Sequence, residues 1–188
     1  EWVLKTACDQ AALWKEAGFP SIRMAVNISP SHFLDSDLVP LLKRIIKETG
    51  IMPADLELEI TEGVVQTNQE NLAIFEHLKE LGILVAIDDF GVGYSSFASL
   101  KHLNVDFLKI DKYFIDDMLV DNKAKLLVGS MIEIGHNLGH KITAEGIEKE
   151  EQFDMLQEFS CDSAQGYFFS KPVSANQITK LFGRNLTA

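Results

Sequence analysis

Apolar residues follow two spacings that alternate along the chain. Short runs that are almost wholly apolar read as strands covered on both faces: IRMAVNIS (22–29), LELEIT (56–61), ILVAI (83–87), VDFLKI (105–110), KITAEG (141–146) and QGYFFS (165–170). Between them the spacing becomes helical. An opening helix covers residues 3–14. Leu38, Leu41, Leu42, Ile45 and Ile46 then share one helical face, with Asp35 or Ser36 as cap and Gly50 as stop. Leu72, Phe75 and Leu78 point inward from a helix over 68–82 that Gly82 ends. Further helices are expected at 97–103, 123–138, 149–158 and 175–182.

Six strands, each followed by a helix, imply a parallel sheet with right-handed crossovers. Two architectures satisfy that pattern: an open doubly wound sheet and a closed (β/α)₈ barrel. The polar residues at the strand ends choose between them. In chain order they are Asn27, Glu59 with Glu62, Asp88 with Asp89, Lys109 with Asp111, Glu145, and Gln165. An open sheet gathers its site at one switch point, from two or three strands. A barrel collects residues from many strand ends around one mouth, so the TIM-barrel-like α/β fold is favoured. Such a barrel usually has eight strands and about 250 residues. Residues 1–188 are therefore expected to form a single domain with six βα units, its first two strands lying before Glu1.

Composition narrows the partners. The formal charge of −11 argues against duplex nucleic acid, but not against a small anion recruited through a metal ion. No apolar run reaches the ~18 residues of a membrane span, so no membrane contact is expected of this domain. Cys8 and Cys161 stand alone, which fits a reduced, cytoplasmic chain. The abrupt start at EWVLKTAC, without a methionine, reads as a piece of something longer.

Carboxylates converging on one mouth (Glu59, Asp88, Asp89, Glu145, with Glu62 or Asp111) cannot all stay ionised without cations. Carboxylate and amide oxygens are hard ligands that suit Mg²⁺ or Mn²⁺ rather than zinc. Of the adjacent pair Asp88–Asp89, one aspartate can bridge two ions while the other ligates one. Two ions ~3.5–4 Å apart form a clamp for in-line phosphoryl displacement. Lys109 could orient the attacking water or offset charge on the phosphorus; a structural salt bridge is its simpler role. His136 and His140 share helical spacing but flank Gly139, which points to a helix end and not a metal site. The DFG triplet at Asp89–Gly91 lacks the partners of a kinase, and GVGYSS lacks the lysine of a P-loop.

NIS, ELEITE, DDFGVGYSS, FLKID, AEGIE and QGYFFSKP stand in the order and approximate spacing of the EAL domain, and the resemblance runs from Glu1 to about Phe182. The chain thus resembles the bacterial cyclic di-GMP phosphodiesterases. The resemblance implies a modified TIM barrel and hydrolysis of cyclic di-GMP to linear pGpG with two Mg²⁺ or Mn²⁺ ions. By motif, Asn27, Glu59, Asp88, Asp89 and Glu145 resemble the metal ligands, with Asp88 bridging and Glu145 also a general base. Lys109 and Gln165 resemble the residues that position the attacking water, and Asp111 a support beside them. Glu62 resembles the anchor of the loop after DDFG, which in the family leads to a dimer interface. A homodimer or other self-association is therefore expected. The glutamate of the EAL motif itself would lie upstream of Glu1, so these residues alone are expected to lack one ligand. Val92 stands where the family usually has a small polar residue. Two other readings remain open: a receptor that holds cyclic di-GMP without cutting it, and a dimerisation module of a multidomain signalling protein.

Overall fold

The structure is a computed structural model and describes residues 1–20, 22–66, 72–92 and 104–185. Helix α1 (Trp2–Glu16) turns Leu4, Cys8, Ala11 and Trp14 inward, the three-and-four spacing of an amphipathic helix. It leads to strand β1 (Met24–Asn27) and a one-turn helix, α2 (Pro30–Phe33), that the apolar pattern does not announce. α2 places Phe33 against Phe75, with ring centroids 5.1 Å apart. Helix α3 (Leu38–Thr49) ends on Gly50 in the left-handed conformation, as expected. Its N-cap position is Asp37, not Asp35 or Ser36. The Asp35 carboxylate accepts the Asp37 N–H at 3.0 Å, so it closes the preceding turn.

The remaining elements are β2 (Leu56–Thr61), α4 (Leu72–Leu81), β3 (Leu84–Phe90), β4 (Phe107–Ile110), α5 (Lys112–Asp116), α6 (Asn122–Asn137), β5 (Lys141–Ala144), α7 (Glu150–Glu158), β6 (Ser163–Ala164) and α8 (Ala175–Asn185). The helix expected at 97–103 and the start of the one expected at 68–82 lie outside the described residues.

Among the described residues the six strands are all parallel, and their order in the sheet is their order in the chain, β1 to β6. A doubly wound sheet reverses direction at its switch point. This one never does, so it is the wall of a barrel, curled and open between β1 and β6. Alternation then sorts the side chains. Leu56, Leu58, Ile60, Val85, Ile87, Leu108, Ile110 and Ile142 join the core under the helices. The register sets Glu57, Glu59, Ala86, Asp88, Phe107, Lys109 and Thr143 on the opposite, inner face.

One strand is not where its apolar residues place it. The last strand is Ser163–Ala164, and QGYFFS forms a turn beyond it. Phe169 and Ser170 N–H groups both donate to the Gly166 carbonyl, and Phe168 N–H donates to Ile147. A Cβ on Gly166 would lie 2.1 Å from the Ile147 carbonyl oxygen, so only glycine lets the two backbones approach this closely. The aromatics of the run pack instead on α7: Phe153 lies edge-on to Phe169 at 5.3 Å and stacks on Phe168 at 6.1 Å. Their apolar character reflects that contact rather than burial in a sheet.

Candidate active site

At the C-terminal ends of β2, β3, β4 and the turn after β5, four charged side chains meet. Lys109 Nζ lies 2.6 Å from Glu59 Oε1, 2.7 Å from Glu145 Oε1 and 3.2 Å from Asp88 Oδ1. The lysine side chain is only 4% exposed. An ammonium has three donors, and here each meets a different carboxylate. Burial opposes the charge on Lys109, but hydrogen bonds to Glu145 and Glu59 outweigh it and hold the amine's pKa above its ordinary value. Burial raises the Glu145 carboxyl, and the charges of Asp88 and Glu59 add to the rise; the Lys109 ammonium opposes it.

Two consecutive aspartates can share this mouth because the sheet is irregular there. Ile87 pairs with Leu108 and Phe90 with Ile110, so Asp88 and Asp89 together oppose the single residue Lys109. That is a β-bulge, which re-aims a side chain where strict alternation would send it to the other face. Asp89 has φ 55°, rare outside glycine, and its N–H donates to Asp88 Oδ1 at 3.1 Å. Its carboxyl is raised first by burial and then by the charges of Asp88 and Asp111.

The other expected residues lie on neighbouring segments. Asn27 is the register partner of Glu59 on the edge strand. Gln165 follows β6; its N–H donates to Ala144 and its carbonyl accepts from Ile147, which sets it beside Glu145. Glu62 is buried at the start of the 3₁₀ turn Glu62–Gln66 and accepts the Gly91 N–H at 3.2 Å; the loop that it is expected to anchor lies, from residue 93, outside the described residues. Asp111 caps α5 by accepting the Tyr113 N–H at 2.9 Å. The histidines are structural, as their helix-end position suggests. His136 Nε2 bonds Asp162 at 2.8 Å, and His140 Nδ1 bonds the Val105 carbonyl at 2.9 Å.

Sequence reasoning missed Lys112 and Glu148. Lys112 Nζ reaches Glu148 at 2.8 Å and Asp116 at 2.6 Å, tying the start of α5 to the turn that carries Glu145. The Lys112 stem also covers Gly146, which has φ +72° and whose added Cβ would lie 2.5 Å from the lysine's own Cβ. A lysine directly after KID and a second glutamate in AEGIE were the available signals. They read as solvent-facing charges until the fold brings them together.

Among the described residues, no three acidic, histidine or cysteine side chains surround a common point with ligand geometry, since Lys109 sits between the three carboxylates. The donor set nonetheless fits a hard divalent cation. It offers only oxygen atoms, and its negative charge exceeds what one lysine offsets.

Residues 1–172 match the EAL domain family. The chain belongs to the EAL-domain family. The signaling protein YkoW of Bacillus subtilis is 39% identical to this EAL domain over 179 residues, covering 95% of this chain and 22% of YkoW. The bifunctional diguanylate cyclase/cyclic di-GMP phosphodiesterase MucR of Pseudomonas aeruginosa is 37% identical, over 95% of this chain and 26% of its own. The solved PaMucR phosphodiesterase in complex with c-di-GMP superposes with a TM-score of 0.89 at 36% identity, over 94% of this chain and 72% of that one. BlrP1 of Klebsiella pneumoniae, solved with manganese and cyclic di-GMP, gives a TM-score of 0.79 at 28% identity, over 90% of this chain and 44% of that one. The EAL domain described here thus spans about a quarter of the length of the curated relatives it matches.

Proposed function

We propose that the protein hydrolyses one phosphodiester of cyclic di-GMP to give linear pGpG, with two Mg²⁺ or Mn²⁺ ions. The observation that carries this reading is the ring of Glu59, Asp88 and Glu145 about Lys109 at the mouth of a parallel barrel wall. The complexes of MucR and BlrP1 with cyclic di-GMP support the substrate, and the manganese with BlrP1 supports the metal.

Asn27, Glu59, Asp88, Asp89 and Glu145 would hold the ions. When bound, divalent ions act as Lewis acids and bring the pKa of a coordinated water near neutrality. Four carboxylates balance two divalent ions, which leaves the charge of Lys109 for the phosphodiester. Glu145, whose carboxyl is raised by burial and by its acidic neighbours, is the group to take the water's proton. Lys109 and Gln165 flank it and position the attacking oxygen in line with the leaving ribose oxygen. Glu62 fixes the backbone at Gly91, and Asp111 fixes the start of α5, so both support the mouth.

The test is incubation of the protein with cyclic di-GMP and Mg²⁺ or Mn²⁺, with products separated by chromatography. Accumulation of pGpG that stops on chelation is the expected result. Tight binding of cyclic di-GMP with no pGpG under any metal would make the protein a receptor instead.

A further inference from the structure

Lys109 is placed to do more than orient water. Its three ammonium donors are matched to three carboxylate oxygens, at 2.6, 2.7 and 3.2 Å, in a pocket that leaves the side chain 4% exposed. Among the described residues no other lysine, arginine or histidine lies within ion-pair range of Glu59, Asp88 or Glu145. Three neighbouring carboxylates without a cation would repel one another and could not all remain ionised. The lysine supplies that cation covalently, so the cluster can assemble as the chain folds.

We propose that Lys109 is a resident counter-cation that divalent ions displace when they load the site. This rests on the two-metal reading above. An ion seated among the same oxygens would stand within a few ångströms of the ammonium, where like charges repel strongly in a partly buried site. Both cannot keep the same ligands. A flexible four-carbon stem lets the ammonium withdraw, which a bidentate guanidinium would resist. Loading thereby converts Lys109 from a partner of carboxylates into a free positive charge at the mouth. The charge becomes available to the phosphodiester only once the ions that activate water are in place. Metal loading and anion recognition are coupled through one side chain.

The consequence is that Lys109 competes with metal. Lys109→Met keeps the stem and removes the charge. Mn²⁺ titrated calorimetrically into the metal-free variant should bind at least about tenfold more tightly than to the wild type, a cautious fraction of one charge's Coulomb interaction at an effective dielectric of ~20. The metal-free variant should also melt lower than wild type, and Mn²⁺ should raise its melting temperature by more. A variant that folds only with Mn²⁺ present supports the proposal in the same sense. Equal or weaker Mn²⁺ binding by a folded Lys109→Met, with wild type binding normally, overturns it and leaves the two-metal reading intact. Absence of Mn²⁺ binding in both proteins overturns the two together. A crystal structure of the wild type with Mn²⁺ located by anomalous scattering tests it without any variant. At least one of the Lys109 contacts to Glu59 and Glu145 should open beyond hydrogen-bond range. Retention of all three contacts beside bound Mn²⁺ overturns the proposal.

Discussion

The two ends of the barrel wall's inner face each bury a carboxylate against a cation, and they do it in opposite proportions. At the N-terminal end Arg23 Nε lies 2.9 Å from Glu57 Oε2, and the guanidinium stacks 4.0 Å above the Phe107 ring. Cation and anion are matched one to one, and an aromatic face covers the arrangement. At the C-terminal end one lysine answers three carboxylates, with Asp89 close by. Burial raises the Glu57 carboxyl, and Arg23 pulls it back. A balanced pair of this kind locks a fold. A surplus of negative charge, kept at the cost of burying it, is what a cation site requires. The difference lies in the charge ratio, in the covering group and in the cation itself, a planar arginine at one end and a flexible lysine at the other.

Variants at the two ends should therefore separate activity from stability. The largest effect is expected from Glu145→Gln. Glutamine keeps the volume but loses the charge and the proton-accepting oxygen, so turnover of cyclic di-GMP at saturating Mg²⁺ should fall by about 10²–10⁴-fold. The melting temperature should change little. Retention of more than about a tenth of the wild-type rate would show that Glu145 is not the base.

Gly146→Val, one residue on, should do the reverse. The positive φ and the Lys112 stem leave no room for a side chain, so a loss of about 2–4 kcal/mol is expected from strain and overpacking combined. Urea unfolding would measure it, and a midpoint within error of wild type would show that the turn can relax.

Arg23→Met tests the balanced end. It strands the buried Glu57 carboxylate and should cost about 1–3 kcal/mol, less than a fully buried pair because the arginine is partly exposed. The rate per folded molecule should stay within about twofold, far below the general-base range. A loss of turnover like that of Glu145→Gln would dissolve the distinction between the two ends.

Much of this was legible in the chain. Alternation in LELEIT sets Glu57 and Glu59 on one face, and the pairing of Glu59 with Ala86 carries that face through β3 toward Asp88. Strict alternation could not show the bulge that sets Asp88 and Asp89 together opposite Lys109, because it depends on how β3 pairs with β4. The YFF run read as a strand because apolar character alone does not distinguish a sheet from an aromatic contact with Phe153. Arg23, Glu57, Lys112 and Glu148 carry no local signal of pairing, since their partners lie 34 to 36 positions apart and only the fold joins them.

The smallest effect is expected at Asp162, which stands just before β6 and accepts the Ile142 N–H at the start of β5. Burial raises its carboxyl, but the Ile142 N–H and His136 outweigh that and hold it below the ordinary range. A depressed carboxyl stabilises above its unfolded pKa, and that contribution is lost as pH falls through the folded value. Asp162→Asn should thus cost about 0.5–1.5 kcal/mol at neutral pH and progressively less in acid, where the wild-type carboxyl is itself protonated. An equal cost at pH 7 and at pH 2 would assign the effect to packing.

The most direct test counts ions. Calorimetric titration of Mn²⁺ into the protein, beside Glu59→Gln, Asp88→Asn and Glu57→Gln, asks whether the surplus of carboxylates around Lys109 is a metal site. Wild type and Glu57→Gln should bind the same number of Mn²⁺ ions, while Glu59→Gln and Asp88→Asn should each weaken binding by at least about tenfold, the range seen when a metal's supporting groups are removed. Unchanged Mn²⁺ binding in Glu59→Gln and Asp88→Asn, or no binding in the wild type, would contradict the assignment of the site.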